Sequence, residues 1–162
     1  MATAPIYLDY QATTPLAPEA LAAMQPWLGG PDSPGGWANP HSAHAMGRKA
    51  SAAVEVARSQ IDALMPPGGR VIFTSGATEA LNLAIRGALP ALAPRKRIVT
   101  IATEHAAVRD TCLWLEKQGH DVVLLPVDRE GLVDMDAARA AITPDTALVA
   151  AMLVNNEIGV IQ

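Results

Sequence analysis

Long apolar runs that alternate with helical patterns constrain the fold of this chain more than any other feature of its sequence. Residues 97–102, 121–127 and 147–154 are largely apolar runs. Residues 106–118 and 135–142, which separate them, carry apolar side chains at helical spacing. Continuous apolar strands that alternate with helices are typical of a parallel sheet covered by helices on both faces. We therefore expect a three-layer α/β fold with a mainly parallel sheet.

A turn of small residues follows another strand-like run, at residues 70–73, and opens a helical pattern at residues 79–86. Such a turn leaves backbone N–H groups unpaired beside the positive end of the helix dipole. Gly76 allows close approach to the backbone, and the hydroxyls of Ser75 and Thr78 are further donors. The turn is therefore a candidate anion site suited to a phosphate, and a plain polar helix cap is the alternative interpretation.

Polar side chains also follow two of the predicted strands where these end. His105 follows the run at residues 97–102, and Asn155 and Asn156 follow the last apolar run. In open α/β sheets, ligands bind outside the carboxyl ends of the strands. We expect these residues to meet Thr78 at one sheet edge, where His105 could stack on a ligand or transfer a proton. The alternatives are a solvent-facing histidine and an ordinary turn at the asparagines.

The amino-terminal region has a different composition. Its predicted elements are an extended arm, a short helix and a loop with four glycines and three prolines, at residues 1–17, 18–28 and 29–40. An amphipathic helix is predicted over residues 45–65. We therefore divide the chain into an arm with a Gly/Pro-rich loop, residues 1–44, and an α/β domain, residues 45–162.

Composition argues against several classes of function. A net charge of −4 and a pI near 5.5 disfavour a nucleic-acid surface. No apolar run reaches the ~18 residues of a membrane span, and no signal-peptide pattern is evident, so we expect a cytoplasmic protein without membrane contact. The histidine spacings and the single cysteine match no zinc site, so no metal is expected.

The single cysteine and the two lysines are weak candidates for catalysis. Cys112 shares a helical stripe with Val108 and Leu115, which predicts a buried and inert thiol. Lys49 lies on the long predicted helix and Lys117 lies near the end of another. Neither position suits a lysine that must face a site with a lowered pKa.

Four segments together resemble the cysteine desulfurases, which belong to the class V aminotransferase group of pyridoxal-phosphate enzymes. The matching segments, in the order and spacing of that family, are residues 8–15, 73–79, 103–105 and 154–160. The resemblance spans essentially the whole chain but only the first part of such an enzyme. It implies the amino-terminal part of the large domain of fold-type I enzymes, and makes residues 45–162 a partial cofactor-binding domain.

The resemblance also implies roles for individual residues. Ala77 and Thr78 would bind the cofactor phosphate. His105 would stack on the pyridine ring as the catalytic residue of the set, and Asn156 would hydrogen-bond the phenolic oxygen of the ring. Near the amino terminus, the matching positions for the substrate are Ala12 and Thr13.

The implied activity is removal of sulfur from L-cysteine, with pyridoxal phosphate as electron sink, in a homodimer that passes sulfur to an acceptor or iron–sulfur scaffold protein. Three residues of the family's site lie beyond the position that matches residue 162. They are the cofactor-binding lysine, the partner of the pyridine nitrogen and the sulfur-accepting cysteine. Residues 1–162 are therefore expected to be an incomplete chain, inactive alone.

Two alternatives remain: another class V activity, such as a selenocysteine lyase or kynureninase, and a non-catalytic split half that pairs with a separate carboxyl-terminal chain.

Overall fold

The computed structural model of the protein describes residues 5–162 and has two compact units, which divide between Phe73 and Thr74. The sequence-based boundary after residue 44 lies inside the first of these units. Among the described residues, no helix combines the length and the apolar character that crossing a membrane requires.

Helices and loops form the first unit. Helix α1, Pro18–Met24, continues into a 3₁₀ turn, Gln25–Trp27, and helix α2 spans Ala45–Asp62. The pyrrolidine ring of Pro26 removes a backbone donor, which accounts for the change from α to 3₁₀ geometry. Both helices and the loop between them were predicted from the sequence, although α2 ends at Asp62 instead of residue 65.

A parallel three-stranded sheet is the centre of the second unit. Its strands are β1, Arg97–Ile101, β2, Asp121–Leu125, and β3, Thr146–Ala150, in the order β2-β1-β3. The helices of this unit are α3, Ala77–Leu92, α4, Ala106–Lys117, and α5, Met135–Ala141. Because β1 is the middle strand, both of its edges are paired.

Two apolar clusters fill the space on either face of the sheet. On one face, α3 and α4 pack against Ile98 of β1, which has no exposed surface. On the other face, α5 packs against Val99 and Ile101 of β1 and Leu125 of β2. The predicted three-layer α/β fold with a parallel sheet is confirmed.

Local signals in the sequence mark where two of these helices start and stop. Gly119, one residue past the cap of α4, has φ of 94°, a conformation that favours glycine. Asp134 caps α5, and its Oδ1 accepts the N–H groups of Asp136 and Ala137 at 2.8 and 3.2 Å. The predicted positions of both helices are therefore confirmed to within one residue.

Two predicted strands differ from the structure. Residues 70–73 form no strand, and Ile72 and Phe73 are largely exposed. A strand needs a neighbour that pairs with its N–H and C=O groups, and within residues 5–162 no strand pairs with this run. The last strand, predicted over residues 147–154, ends at Ala150 because the N–H of Met152 donates to the Glu104 carboxylate instead of to a ladder partner.

The thiol of Cys112 is buried in the cluster between the sheet and α4. Only 1% of the residue is exposed, and Val108 and Leu115 belong to the same cluster, as the helical stripe predicted. Burial raises the pKa of the Cys112 thiol, and the nearby negative charge of Glu104 raises it further. Both effects disfavour the thiolate, which is the reactive form.

We expect a thiol reagent such as Ellman's reagent to label the folded chain at least about tenfold more slowly than the urea-unfolded chain, because labelling requires both opening and deprotonation. The absorbance of the released product measures the rate at one site, since the chain has a single cysteine. Equal rates for the folded and unfolded chains would contradict the burial of Cys112.

Candidate functional site

The first turn of α3 leaves two backbone donors without a protein partner. Within residues 5–162, no hydrogen bond uses the N–H groups of Ala77 and Thr78 or the Thr78 hydroxyl. The helix begins at Ala77, so both N–H groups lie at its positive end. Three donors are therefore available to an anion here, which agrees with the prediction from the sequence.

The other hydroxyls of this turn are already engaged. Both the N–H and the hydroxyl of Ser75 donate to one carboxylate oxygen of Glu79, each at 2.7 Å. The Thr74 hydroxyl donates to the Gly76 carbonyl at 3.0 Å. Ser75 is therefore committed to Glu79, no side chain within residues 5–162 caps the first N–H groups of α3, and Ala77 and Thr78 remain the candidate anion donors.

Gly76 faces open space. Its φ of 163° is extended backbone that any residue adopts, and an added Cβ would meet nothing within 4 Å. The packing of the protein therefore does not require glycine at this position. A ligand that approaches the backbone closely would require glycine here, as the sequence predicts.

His105 is the N-cap of α4, and this role orients its ring. Its Nδ1 accepts the Ala107 N–H at 3.0 Å, and the residue is exposed. With Nδ1 acting as acceptor, a neutral imidazole carries its proton on Nε2. The faces of the ring and Nε2–H are then available to a ligand.

A cleft of about 510 Å³ brings the starts of α3 and α4 together. Its lining includes Thr78 from the start of α3 and His105, Ala106 and Ala107 from the start of α4. Two helix N-termini therefore direct their positive ends to one cleft, which favours an anionic ligand.

Asn82 holds these two helices in register. Its Nδ2 donates to the Thr78 carbonyl at 3.1 Å, and its Oδ1 accepts the Thr111 hydroxyl at 3.1 Å. The Thr111 hydroxyl also lies 2.7 Å from the Ala107 carbonyl. The first turn of α3 is thus tied through one amide to the second turn of α4.

A second cleft, of about 300 Å³, lies at the carboxyl ends of β1 and β3. It shares His105 with the first cleft and adds Thr103, Glu104, Asn155 and Asn156. His105 therefore lies between the cleft that contains Thr78 and the cleft that contains Asn156. Thr78 and Asn156 thus each share a cleft with His105, although Thr78 follows no strand within residues 5–162, and a common site for all three residues stays a prediction.

Thr103 brings an unsatisfied donor to the second cleft. Its Oγ1 is buried and has no hydrogen-bond partner among the described residues. A buried hydroxyl without a partner is costly, and a ligand oxygen or a bound water would satisfy it.

Asn155 anchors the loop after β3. Its Nδ2 donates to the Thr103 carbonyl at 2.8 Å, and its Oδ1 accepts the N–H groups of Glu157 and Ile158 at 2.9 and 3.0 Å. Only 7% of the residue is exposed. Of the two asparagines, Asn155 therefore forms the turn, and Asn156 remains the candidate for ligand contact.

A second anchor fixes the far side of the same loop. Val154 pairs antiparallel with Ile161, and the Gln162 side chain donates to the Gly131 carbonyl at 2.6 Å and accepts the Val133 N–H at 3.0 Å. Gly131 has φ of 86°, and an added Cβ would collide with the Ile158 side chain. The loop that contains Asn156 is therefore fastened to the segment between β2 and α5.

The substrate candidates Ala12 and Thr13 belong to the first unit. Their N–H groups donate to the Asp9 carbonyl at 3.2 and 3.4 Å, which makes a turn in the arm. The Tyr7 hydroxyl donates to the same carbonyl at 2.9 Å. A role for Ala12 and Thr13 beside a substrate stays a prediction.

Sequence reasoning missed Glu104 and Asn82 as residues that organise the site. Glu104 is a carboxylate directly after a buried apolar strand, and this position is the one signal that could have marked it. Asn82 lies four residues after Thr78 on the same helix, the spacing at which two side chains share a face. Within residues 5–162, no cluster of His, Cys, Asp and Glu could hold a metal ion.

Comparison with known proteins relates this geometry to one family. The profile of the aminotransferase class-V family matches residues 6–162. The chain is 48% identical to a cysteine desulfurase of Homo sapiens over 98% of its own length, and 45% identical to the cysteine desulfurase IscS of Rickettsia akari over 99%. It spans 34% and 38% of the length of these two relatives.

Solved structures give the same relationship. A structure described as SspA in complex with cysteine superimposes with a TM-score of 0.79 at 38% identity, over 96% of this chain and 44% of the other. A NifS-like protein superimposes with a TM-score of 0.80 at 33% identity, over 94% of this chain and 41% of the other.

The Ser75–Glu79 contact should depend on pH. Hydrogen bonds from the Ser75 hydroxyl, and then from its N–H, lower the pKa of Glu79. A lowered pKa means that the contact stabilises the turn above the ordinary glutamate pKa and is lost as the pH falls through the lowered folded-state value. We therefore expect the Ser75 amide resonance to titrate in acid, below the ordinary pKa of a glutamate.

The substitution Glu79→Gln should abolish this titration, whereas Glu130→Gln, in an exposed turn, should leave it intact. NMR of the Ser75 amide across the acid range measures both. A Ser75 resonance that titrates identically in Glu79→Gln would refute the contact as its cause.

Proposed function

Because this chain belongs to the class-V aminotransferase family, we propose that the whole protein removes sulfur from L-cysteine with pyridoxal phosphate as its cofactor. The observation that carries the proposal is the cleft that Thr78 and His105 share at the starts of α3 and α4. Thr78 and the adjacent Ala77 have free N–H groups, and the ring of His105 is oriented. The cysteine desulfurases that resemble the chain support the choice of substrate.

The residues of the first cleft fit the phosphate of this cofactor. The free N–H groups of Ala77 and Thr78, together with the Thr78 hydroxyl, would bind its oxygens at the positive end of α3. The open space beside Gly76 leaves room for close approach. Family members use pyridoxal phosphate, and this donor set suits its phosphate.

The second cleft fits the ring of the cofactor. His105 would stack on the pyridine ring, and Asn156 would donate to the phenolic oxygen. The buried Thr103 hydroxyl has no partner among residues 5–162, so the polar edge of a ring in this cleft would also satisfy a donor. When bound, the cofactor supplies an electron sink.

The residues of this chain contribute binding, orientation and a proton. The hydrogen bond from Ala107 to Nδ1 orients the His105 ring and leaves Nε2 to hold or donate a proton toward the substrate. Ala12 and Thr13 would contact the substrate from the arm. The Asn82 link keeps the phosphate donors of α3 at a fixed distance from the ring of His105.

The proposal extends to the assembly and location of the whole protein. We propose a cytoplasmic homodimer that transfers sulfur to an acceptor or iron–sulfur scaffold protein. The resemblance to a cysteine desulfurase named IscS supports the sulfur-transfer part of this extension.

We expect the full-length protein to release sulfide from L-cysteine and residues 1–162 to release none. In α4, Lys117 lies in the last turn, at the end opposite His105, and the Lys49 ammonium donates to the Pro34 carbonyl. Neither lysine is placed to hold a cofactor covalently. L-Alanine is a product of all three reactions, so its release from L-cysteine, L-selenocysteine and L-kynurenine, compared at equal substrate concentration, measures the choice among the three activities. Turnover of only L-kynurenine would overturn the proposed substrate.

The substitution Gly76→Ala should weaken pyridoxal phosphate binding by about tenfold or more, because a methyl group would block approach to charge-assisted donors. The backbone at Gly76 tolerates alanine, so the free energy of unfolding should change by only about 1 kcal/mol, as expected for an N-cap.

Gly87→Ala is the matched control, since Gly87 lies in the exposed middle of α3 and its added Cβ also meets nothing. Titration of cofactor absorbance and thermal unfolding measure the two effects. Unchanged cofactor affinity in Gly76→Ala would show that the phosphate does not bind at this turn.

A further inference from the structure

Glu104 is a buried carboxylate between the ends of β1 and β3. Only 7% of the residue is exposed, and no ion pair within residues 5–162 includes it. Buried carboxylates are costly unless other groups compensate their charge. Its environment therefore has to supply hydrogen-bond donors.

Those donors are two backbone N–H groups from different loops. One carboxylate oxygen accepts the His105 N–H at 3.2 Å, and the other accepts the Met152 N–H. His105 follows β1 and starts α4, whereas Met152 follows β3 after its ladder has ended. One side chain thus joins the two loops whose residues line the second cleft.

A second hydrogen bond crosses the same gap, this time through a side chain of the loop after β3. Asn155, from the loop after β3, donates its amide to the Thr103 carbonyl at 2.8 Å. Thr103 and Glu104 are adjacent, so the loop after β1 is held at two successive residues. The two bonds together fix both the separation and the rotation of one loop relative to the other.

The chemistry of this link requires a carboxylate. An ionised carboxylate only accepts hydrogen bonds and presents two oxygens, so it satisfies two N–H groups at once. Glutamine has the same shape but would point an NH₂ group at one of these donors. That donor would lose its partner in a buried place, which is unfavourable.

We propose that Glu104 is a positioning residue that sets the place of the His105 ring relative to Asn156. It acts through the backbone N–H of His105, while the Ala107 N–H orients the ring itself. The effect on the cofactor rests on the proposed function, but the effect on His105 does not.

The substitution Glu104→Gln in the full-length protein tests this role. We expect the variant to fold, with the side-chain NMR signal of His105 shifted or broadened and the signals of His41, His44 and His120 unchanged. Pyridoxal phosphate should bind about tenfold more weakly, because the loop that carries His105 loses a charge-assisted hydrogen bond and no longer holds the ring in its binding position. Glu116→Gln, at an exposed position of α4, is the matched control and should change neither readout.

The two readouts separate failure of this inference from failure of the proposed function. A shifted His105 signal with no cofactor binding even in the unaltered protein would support the role of Glu104 and overturn the proposed cofactor. A folded Glu104→Gln variant with an unaltered His105 signal and unaltered affinity would overturn the role of Glu104.

Amide hydrogen exchange in the unaltered protein supplies a test that does not depend on folding of the variant. The Met152 N–H lies outside the strand ladder and should nevertheless exchange as slowly as amides in β1, because the Glu104 carboxylate binds it. Exchange of the Met152 N–H at the rate of an exposed loop would overturn the proposal.

Discussion

The parallel pairing of β1 with strands on both sides is the constraint on which the second unit depends. Parallel strands cannot be joined by a hairpin, so each connection must cross a face of the sheet. The connection from β1 to β2 contains α4 on one face, and the connection from β2 to β3 contains α5 on the other. As a result, the loops after β1 and β3 leave the same edge, which brings His105 and Asn156 to one cleft.

The electrostatics of the site follow from this arrangement. Helices that return over a parallel sheet start near the carboxyl ends of the strands, so their positive ends gather at the same edge as the loops. The protein directs its own carboxylates, Glu79 and Glu104, to part of the available N–H groups there. The donors of Ala77 and Thr78 stay uncommitted within residues 5–162, so the positive potential at the start of α3 remains available to a ligand.

Much of this could be predicted from the sequence because the relevant signals are local. The helical stripe of Cys112, the glycine after α4 and the apolar run of β1 each report on burial or backbone conformation over a few residues. The strand predicted at residues 70–73 does not form, because a strand also needs a neighbour to pair with. An apolar run in the sequence does not reveal whether such a neighbour exists. The early end of β3 and the role of Glu104 share one cause, a contact between residues 48 positions apart. No periodicity records such a contact.

The double fastening of the loop around Asn156 has a consequence for the energetics of ligand binding. Asn155 ties the loop to Thr103 and to its own backbone, and Gln162 ties it to Gly131. The conformational entropy of the loop is therefore lost when the chain folds. A mobile loop would lose that entropy on each encounter with a ligand and would weaken binding accordingly. Here the cost falls on the stability of the protein, and the edge of the sheet presents a preorganised surface instead of a closing lid.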